Sequence, residues 1–183
     1  MKYFPLITIL FSYLISCTDL KKNERIDRIL ALEKTLDSIE KVMTSSKIDS
    51  LSNMQLAAQG VELRIKNNYK LDTINLEFGK KMDEYKRMRR AIPKLKGNWE
   101  KVNKGIFEMR ITLSNLKTDI ENNSGKREKY DEYIKFEKNK LNQLGLLNDD
   151  NKLEQKKIVE TYSKLHPELN NFSMSLIIVQ SNF

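Results

Sequence analysis

The sequence predicts an all-α protein: an elongated antiparallel helical bundle of coiled-coil hairpins behind an N-terminal signal peptide. Three observations predict it. Apolar residues recur at spacings of three and four along most of the chain, the pattern of a helix with one buried face. Only six Gly and three Pro are spread over 183 residues, so few positions break a helix. Charged residues make up 32% of the chain, enough to clothe the outer faces of long helices.

The first element is the leader. Lys2 supplies a positive start, Tyr3 to Ile15 an apolar run, and Ser16 a small residue before Cys17. That order is the grammar of a secretory signal. The apolar run is too short for a transmembrane helix, which needs ~20 residues. Cys17 is the one cysteine in the chain. Leu14-Ile15-Ser16-Cys17 resembles the lipobox of bacterial lipoproteins, a resemblance confined to residues 1–17. It implies cleavage after residue 16, with a diacylglyceryl group on the Cys17 thiol and an acyl chain such as palmitate on its new amino group. Each buried acyl methylene adds ~0.8 kcal/mol of membrane affinity, so two or three chains hold firmly. The family's sorting rule places Asp after the cysteine for the inner membrane. Thr18 therefore implies the outer membrane, facing periplasm or surface. With Cys17 acylated no thiol is left for a disulfide, and an exported domain relies on its core alone.

Residues 17–22 read as the lipidated cysteine and a short tether, and 23–168 as the bundle. Its first run is Ile29, Leu32, Leu36, Ile39 and Met43. The second is Leu51, Met54, Ala58, Val61 and Ile65. The third is Leu71, Ile74, Phe78, Tyr85, Met88 and Ile92, with Lys81 in one slot. The fourth is Trp99, Val102, Ile106, Met109, Leu113, Leu116 and Ile120. The fifth runs from Tyr130 to Leu165 through Ile134, Leu141, Leu144, Ile158 and Tyr162, with Glu137, Asn148, Asn151 and Gln155 in its remaining core slots. A seven-residue repeat keeps one seam facing a neighbour.

The boundaries follow from local chemistry. Thr44-Ser45-Ser46 interrupts the first run. The register slips between Ile65 and Leu71, where Asp72 or Thr73 could cap a new helix. Pro93 and Gly97 predict a turn between the third and fourth runs. Asn122-Asn123-Ser124-Gly125 reads as a C-cap and loop. His166-Pro167 predicts the end of the fifth helix. The polar stretch Asn148 to Asn151 fits a turn, but the register preserved on both sides favours one helix. Four acid-first pairs lie four apart: Glu24/Arg28, Asp83/Arg87, Asp131/Lys135 and Glu160/Lys164. They mark wet faces and add little stability.

Residues 169–183 form an apolar tail. Phe172, Met174, Leu176 and Ile178 alternate as in a strand, while Phe172, Leu176 and Val179 fit a helix. The tail is expected to dock on the bundle or to bind a partner. Its end at Phe183 resembles the terminal signal of outer-membrane barrels, yet no other segment reads as a barrel strand.

The residue inventory opposes catalysis. His166-Pro167-Glu168 matches half of the zinc deaminase signature, and the Pro-Cys-x-x-Cys half is missing. Asp149, Asn151 and Glu160 fit a calcium loop only where Leu153 and Glu154 do not. There is no Gly-rich phosphate loop. One histidine and no free thiol exclude triad chemistry and a His/Cys metal centre. A narrow bundle also offers little concave space for a substrate.

The net charge is +8. It concentrates at Lys80, Lys81, Lys86, Arg87, Arg89, Arg90, Lys94 and Lys96, against Asp83 and Glu84. On the predicted hairpin tip at Pro93 these cations would match a helix C-terminal dipole. Lys86, Arg87, Arg89, Arg90, Lys94 and Lys96 are candidates for an anionic surface. An exported chain rarely meets nucleic acid, so lipid phosphate, lipopolysaccharide or an acidic protein fits better. Trp99, Tyr85 and Tyr130 occupy seam positions and read as core. Tyr133 and Phe136 flank the seam, where they would widen it for a third helix.

The readings converge on an envelope module, structural or protein-binding, without cofactor or small-molecule substrate. It would present its seam or tail to another envelope protein. The alternative is a binder of anionic envelope ligands through the basic tip 80–96. The long seam leaves self-association open.

Overall fold

A computed structural model describes residues 21–44, 48–70 and 75–181. The signal segment and Cys17, Ser45 and Ser46, Leu71 to Ile74 and Phe183 lie outside the described residues. The described chain is a helical bundle of four α-helices: α1 (Lys22–Thr44), α2 (Ile48–Asn68), α3 (Leu76–Glu121) and α4 (Tyr130–Ser181), with a 3-10 turn at Arg127–Lys129. No strand occurs among the described residues.

The described residues fall into two compact units. Unit 1 lies within Met1–Asp37 and Glu108–Leu141, and unit 2 within Ser38–Phe107 and Asn142–Phe183. In unit 1, Lys22 Nζ reaches the Glu121 carbonyl (2.5 Å) and Arg110 pairs with Asp37 (2.8 Å), so α1 runs antiparallel to α3. In unit 2, Glu62 pairs with Arg89 and Ser52 accepts from Lys96. α2 therefore also runs antiparallel to α3.

The seam residues form the core. Ile29, Leu36, Val102, Leu113, Ile120, Ile134 and Ile158 are all buried, as are Trp99, Tyr85 and Tyr130. Met54, Leu144 and Tyr162 are only half-buried. Glu137, Asn148 and Asn151 are buried in the α4 seam, while Gln155 is partly exposed.

The α3–α4 turn matches its sequence. Asn123 (φ 51°) and Gly125 (φ 74°) adopt left-handed backbone. Ser124 N–H donates to Asp119 and Asn123 N–H to Ile120, the paired bonds of a Schellman cap. At the other end of α3 the cap is Asn75, whose Oδ1 accepts from Glu77 N–H at 2.8 Å. The cap thus lies three residues after Asp72, the earlier of the two expected caps, and the helix starts at Leu76.

Two expected breaks are absent. Pro93 and Gly97 lie inside α3, which continues to Glu121; there is no hairpin tip at Pro93. Pro167 lies inside α4, which continues to Ser181. An interior proline costs ~3 kcal/mol because it removes one bond and crowds a carbonyl. Both prolines are exposed, so the crowding falls on a wet face. Beyond Pro93 the helix buries Leu95, Trp99 and Val102, at ~1.5–3 kcal/mol each. Beyond Pro167 it buries Leu169 and Ser173. Leu95 continues the spacing Met88, Ile92, Leu95, Trp99 without a gap, and that register outweighs the proline.

The stretch Asn148 to Asn151 is helical, so α4 is one helix rather than two. Residues 169–181 are its last turns and not a separate tail; the helical alternative holds. Of the acid-first pairs, Asp83–Arg87 forms an ion pair (2.6 Å). Asp131 instead reaches α1, and Lys164 reaches Glu84 (3.8 Å).

Candidate functional site

The six candidate cations do not form one surface. Gly97 and Pro93 being helical, the cluster sits in the middle of α3, away from any helix end, so the dipole argument does not apply to it. Successive residues turn by ~100°, which splits the set. Arg89 and Lys96 face α2. The Arg89 guanidinium grips Glu62 as a fork, Nε at 2.7 Å and Nη2 at 3.1 Å. Lys96 Nζ donates to Ser52 Oγ at 3.1 Å. These two hold the bundle together. Arg87, Arg90 and Lys94 are exposed, with Lys86 half-buried beside them. Arg87 shares its charge with Asp83. The same outer face continues to Lys101 and Lys104, both exposed, which sequence reading left out because it stopped at the expected turn.

At the α2–α3 end of unit 2 an aromatic cluster closes the bundle. Tyr69 stacks on Phe78 (5.6 Å), and Phe172 meets Phe78 edge-on (4.9 Å). Beside it runs a groove of about 560 Å³ lined by Glu62, Leu63, Tyr69, Phe78, Met82 and Arg89, among others. Its carboxylates are committed: Glu62 to Arg89 and Asp83 to Arg87.

His166 lies within α4, stacked on Tyr162 at 4.3 Å, and its Nδ1 shares a hydrogen bond with the Tyr85 hydroxyl. Burial, and then the positive Arg64 nearby, push the imidazole below its ordinary pKa. Burial pushes the Tyr85 and Tyr162 phenols up. All three groups are therefore neutral near pH 7. Arg64 itself is fixed by Ser173 Oγ (2.9 Å) and Asn170 Oδ1 (2.7 Å) on α4.

A depressed histidine pKa has a definite sign in stability. The unfolded chain binds the proton more readily, so His166 contributes fully above the unfolded value near 6.5. That contribution is lost as pH falls from there through the lower folded value. The melting temperature should therefore drop on acidification from pH 7.5 toward 5.5. His166→Gln, which keeps a hydrogen-bonding group beside Tyr85 but cannot take up a proton, should flatten that segment of the curve. An unchanged slope in the variant would assign the drop to other groups.

In unit 1 the main polar contact is Arg25, buried in α1. Its guanidinium donates to Asp131 Oδ2 at 2.6 Å and lies 5.5 Å over the Tyr130 ring. Arg28 takes the other carboxylate oxygen at 2.7 Å. The hydrogen bond from Arg25, joined by Arg28, holds the Asp131 carboxyl below its usual range. Sequence reading missed Arg25, although it occupies the seam slot four residues before Ile29. α1 thus docks on the Asp131 flank of α4. Tyr133 and Phe136 lie on the opposite flank and remain 38% and 59% exposed. The third helix expected against them is elsewhere.

Among the described residues no group of three or more His, Cys, Asp and Glu is placed to hold a metal ion. No described helix is long and apolar enough to cross a membrane. No protein-family model matches the chain, and comparisons with curated proteins and with solved structures find no match.

Proposed function

We propose that this chain is a lipid-anchored helical-bundle module of the bacterial cell envelope, working through protein contacts and not through catalysis. One observation carries the reading: a positive residue, an apolar run, a small residue and the sole cysteine stand in order at Lys2, 3–15, Ser16 and Cys17. A thioether-linked diacylglyceryl group and an amide-linked acyl chain on Cys17 would fix the bundle to a membrane. Two features of the bundle support a binding role over a chemical one. Its seam is consumed by internal packing, so partners must use outer surfaces. The carboxylates of the unit 2 groove are tied up in ion pairs.

The exposed face of Arg87, Arg90, Lys94, Lys101 and Lys104 suits anionic headgroups, since each cation near a charged membrane surface is worth ~1 kcal/mol.

The test is expression in a Gram-negative host with labelled palmitate. Wild type should carry label, fractionate with membranes and begin at an acylated residue 17 by intact mass. Cys17→Ser should lack label and be uncleaved or released. A Ser variant of mature size still in the membrane fraction would sink the anchor. The released Cys17→Ser protein then reports the basic face alone. It should bind phosphatidylglycerol vesicles in a salt-sensitive way, and Glu at Arg90, Lys94 and Lys101 should abolish that binding.

A further inference from the structure

Within unit 1 the α3–α4 pair has two flanking grooves. α1 fills one, held by Arg25 and Arg28 on Asp131 and by Asp37 on Arg110. No described helix covers the other, whose volume is about 620 Å³. Thr112 and Leu116 of α3 and Tyr133 and Phe136 of α4 line it, with Asp119 and Glu132 on its rim.

Two contrasts set this groove apart. The α3–α4 groove of unit 2 is of similar size, about 550 Å³, but sets Lys80, Glu84, Arg87, Glu154 and Lys157 around Met88, Ala91 and Ile158 and has no aromatic ring in its lining. The unit 1 groove instead exposes two aromatic rings over a buried Leu116, the residue types that anchor interfaces. Its charge is also opposite to that of the whole molecule. Asp119 and Glu132 face Lys135 among its exposed charged residues, while the buried Glu137 is paired with Lys140 (3.1 Å), whose ammonium lies 5.5 Å over the Phe136 ring; the surplus is one acid, in a chain of net charge +8.

We propose that this groove receives one amphipathic helix of a partner protein, apolar along the face that meets Tyr133 and Phe136 and bordered by Lys or Arg. The occupant would take the fourth place around a helix pair that already has its third. Its basic border would meet the acidic rim, and such complementarity selects partner and register. A second copy docking groove to groove would bring acidic rims together, which disfavours it. The inference deepens the protein-contact reading and does not depend on the anchor.

Synthetic amphipathic helical peptides of one apolar pattern test it, flanked by Lys in one version and Glu in another, with a scrambled control. Binding is measured by calorimetry on the Cys17→Ser protein, with oligomeric state by sedimentation. The Lys-flanked peptide should bind. Phe136→Asp, a change at an exposed site, should weaken it by about tenfold or more, with helix content unchanged by circular dichroism. Phe107→Ala, an exposed aromatic on α3 outside the groove, should leave it unchanged. Equal binding of the Glu-flanked or scrambled peptide, or indifference to Phe136→Asp, would overturn the proposal. So would a wild-type dimer that Phe136→Asp dissociates, since a second copy would then be the occupant. An acylated Cys17 with a groove that takes no peptide removes this inference alone. A peptide-binding protein without acyl groups removes the anchor alone.

Discussion

Trp99→Ala should cost about 3–5 kcal/mol, the usual penalty for emptying a buried aromatic site. Trp99 is 1% exposed, the largest side chain in the core, and sits two turns past Pro93 on the α3 seam. Domains of this size are stable by only ~5–15 kcal/mol, so the loss would remove a large part of the total. Trp99 also carries a polar group: its Nε1 is buried without a protein partner. Leaving a donor unpaired costs ~1–3 kcal/mol. Trp99→Phe removes that donor while keeping most of the ring, and the two changes should largely cancel. Thermal and urea melts of both variants decide it. A Phe variant as unstable as the Ala variant would mean that the indole ring's full size, or an unseen partner for its N–H, is what matters. As the chain has one tryptophan, its fluorescence reports unit 2 alone. A wild-type fluorescence transition that departs from the circular-dichroism transition would show the two units melting separately.

The same residue marks where sequence reasoning succeeded and where it stopped. The seam was legible because burial on one helix face forces a spacing of three and four, and Ile29, Leu36, Leu113 and Ile134 all fall on it. The cap at Asn123 and Gly125 was legible because left-handed backbone selects those residues. The prolines misled. Their local cost is real, but it competes with the burial of everything downstream, and Leu95 carried the register across Pro93. Placing a turn there also manufactured a basic tip. Once α3 runs through, its cations divide between bundle contacts at Arg89 and Lys96 and an outer face reaching Lys104. Other contacts left weak traces. Arg25 meets Asp131 across 106 positions of sequence, and only the seam slot of Arg25 hinted that it turns inward. The aromatic flank of Tyr133 and Phe136 was visible; which flank α1 would choose was not, because that choice depends on a pairing between distant helices.

Replacing Asn148 and Asn151 together with Leu should raise stability, by about 1–3 kcal/mol for each buried unpaired amide atom removed. Both are 2% exposed on the α4 seam. Asn148 Oδ1 and Asn151 Nδ2 have no protein partner. The two sites lie one turn apart, so their effects should not add simply. A polar layer that costs stability is retained in coiled-coil proteins where it fixes register and helix number. Leu in both slots would make the seam more uniform from Leu141 to Ile158, so that α4 could slide against its neighbours or recruit a second copy. The expected double variant therefore melts higher yet shows broadened amide resonances, or sediments as a dimer. A variant that melts lower would show instead that the asparagines are satisfied in solution and hold the bundle together. One that melts higher with sharp resonances and a single sedimenting species would show that register is fixed elsewhere, with Arg64 on Asn170 and Arg25 on Asp131 as the contacts best placed to fix it.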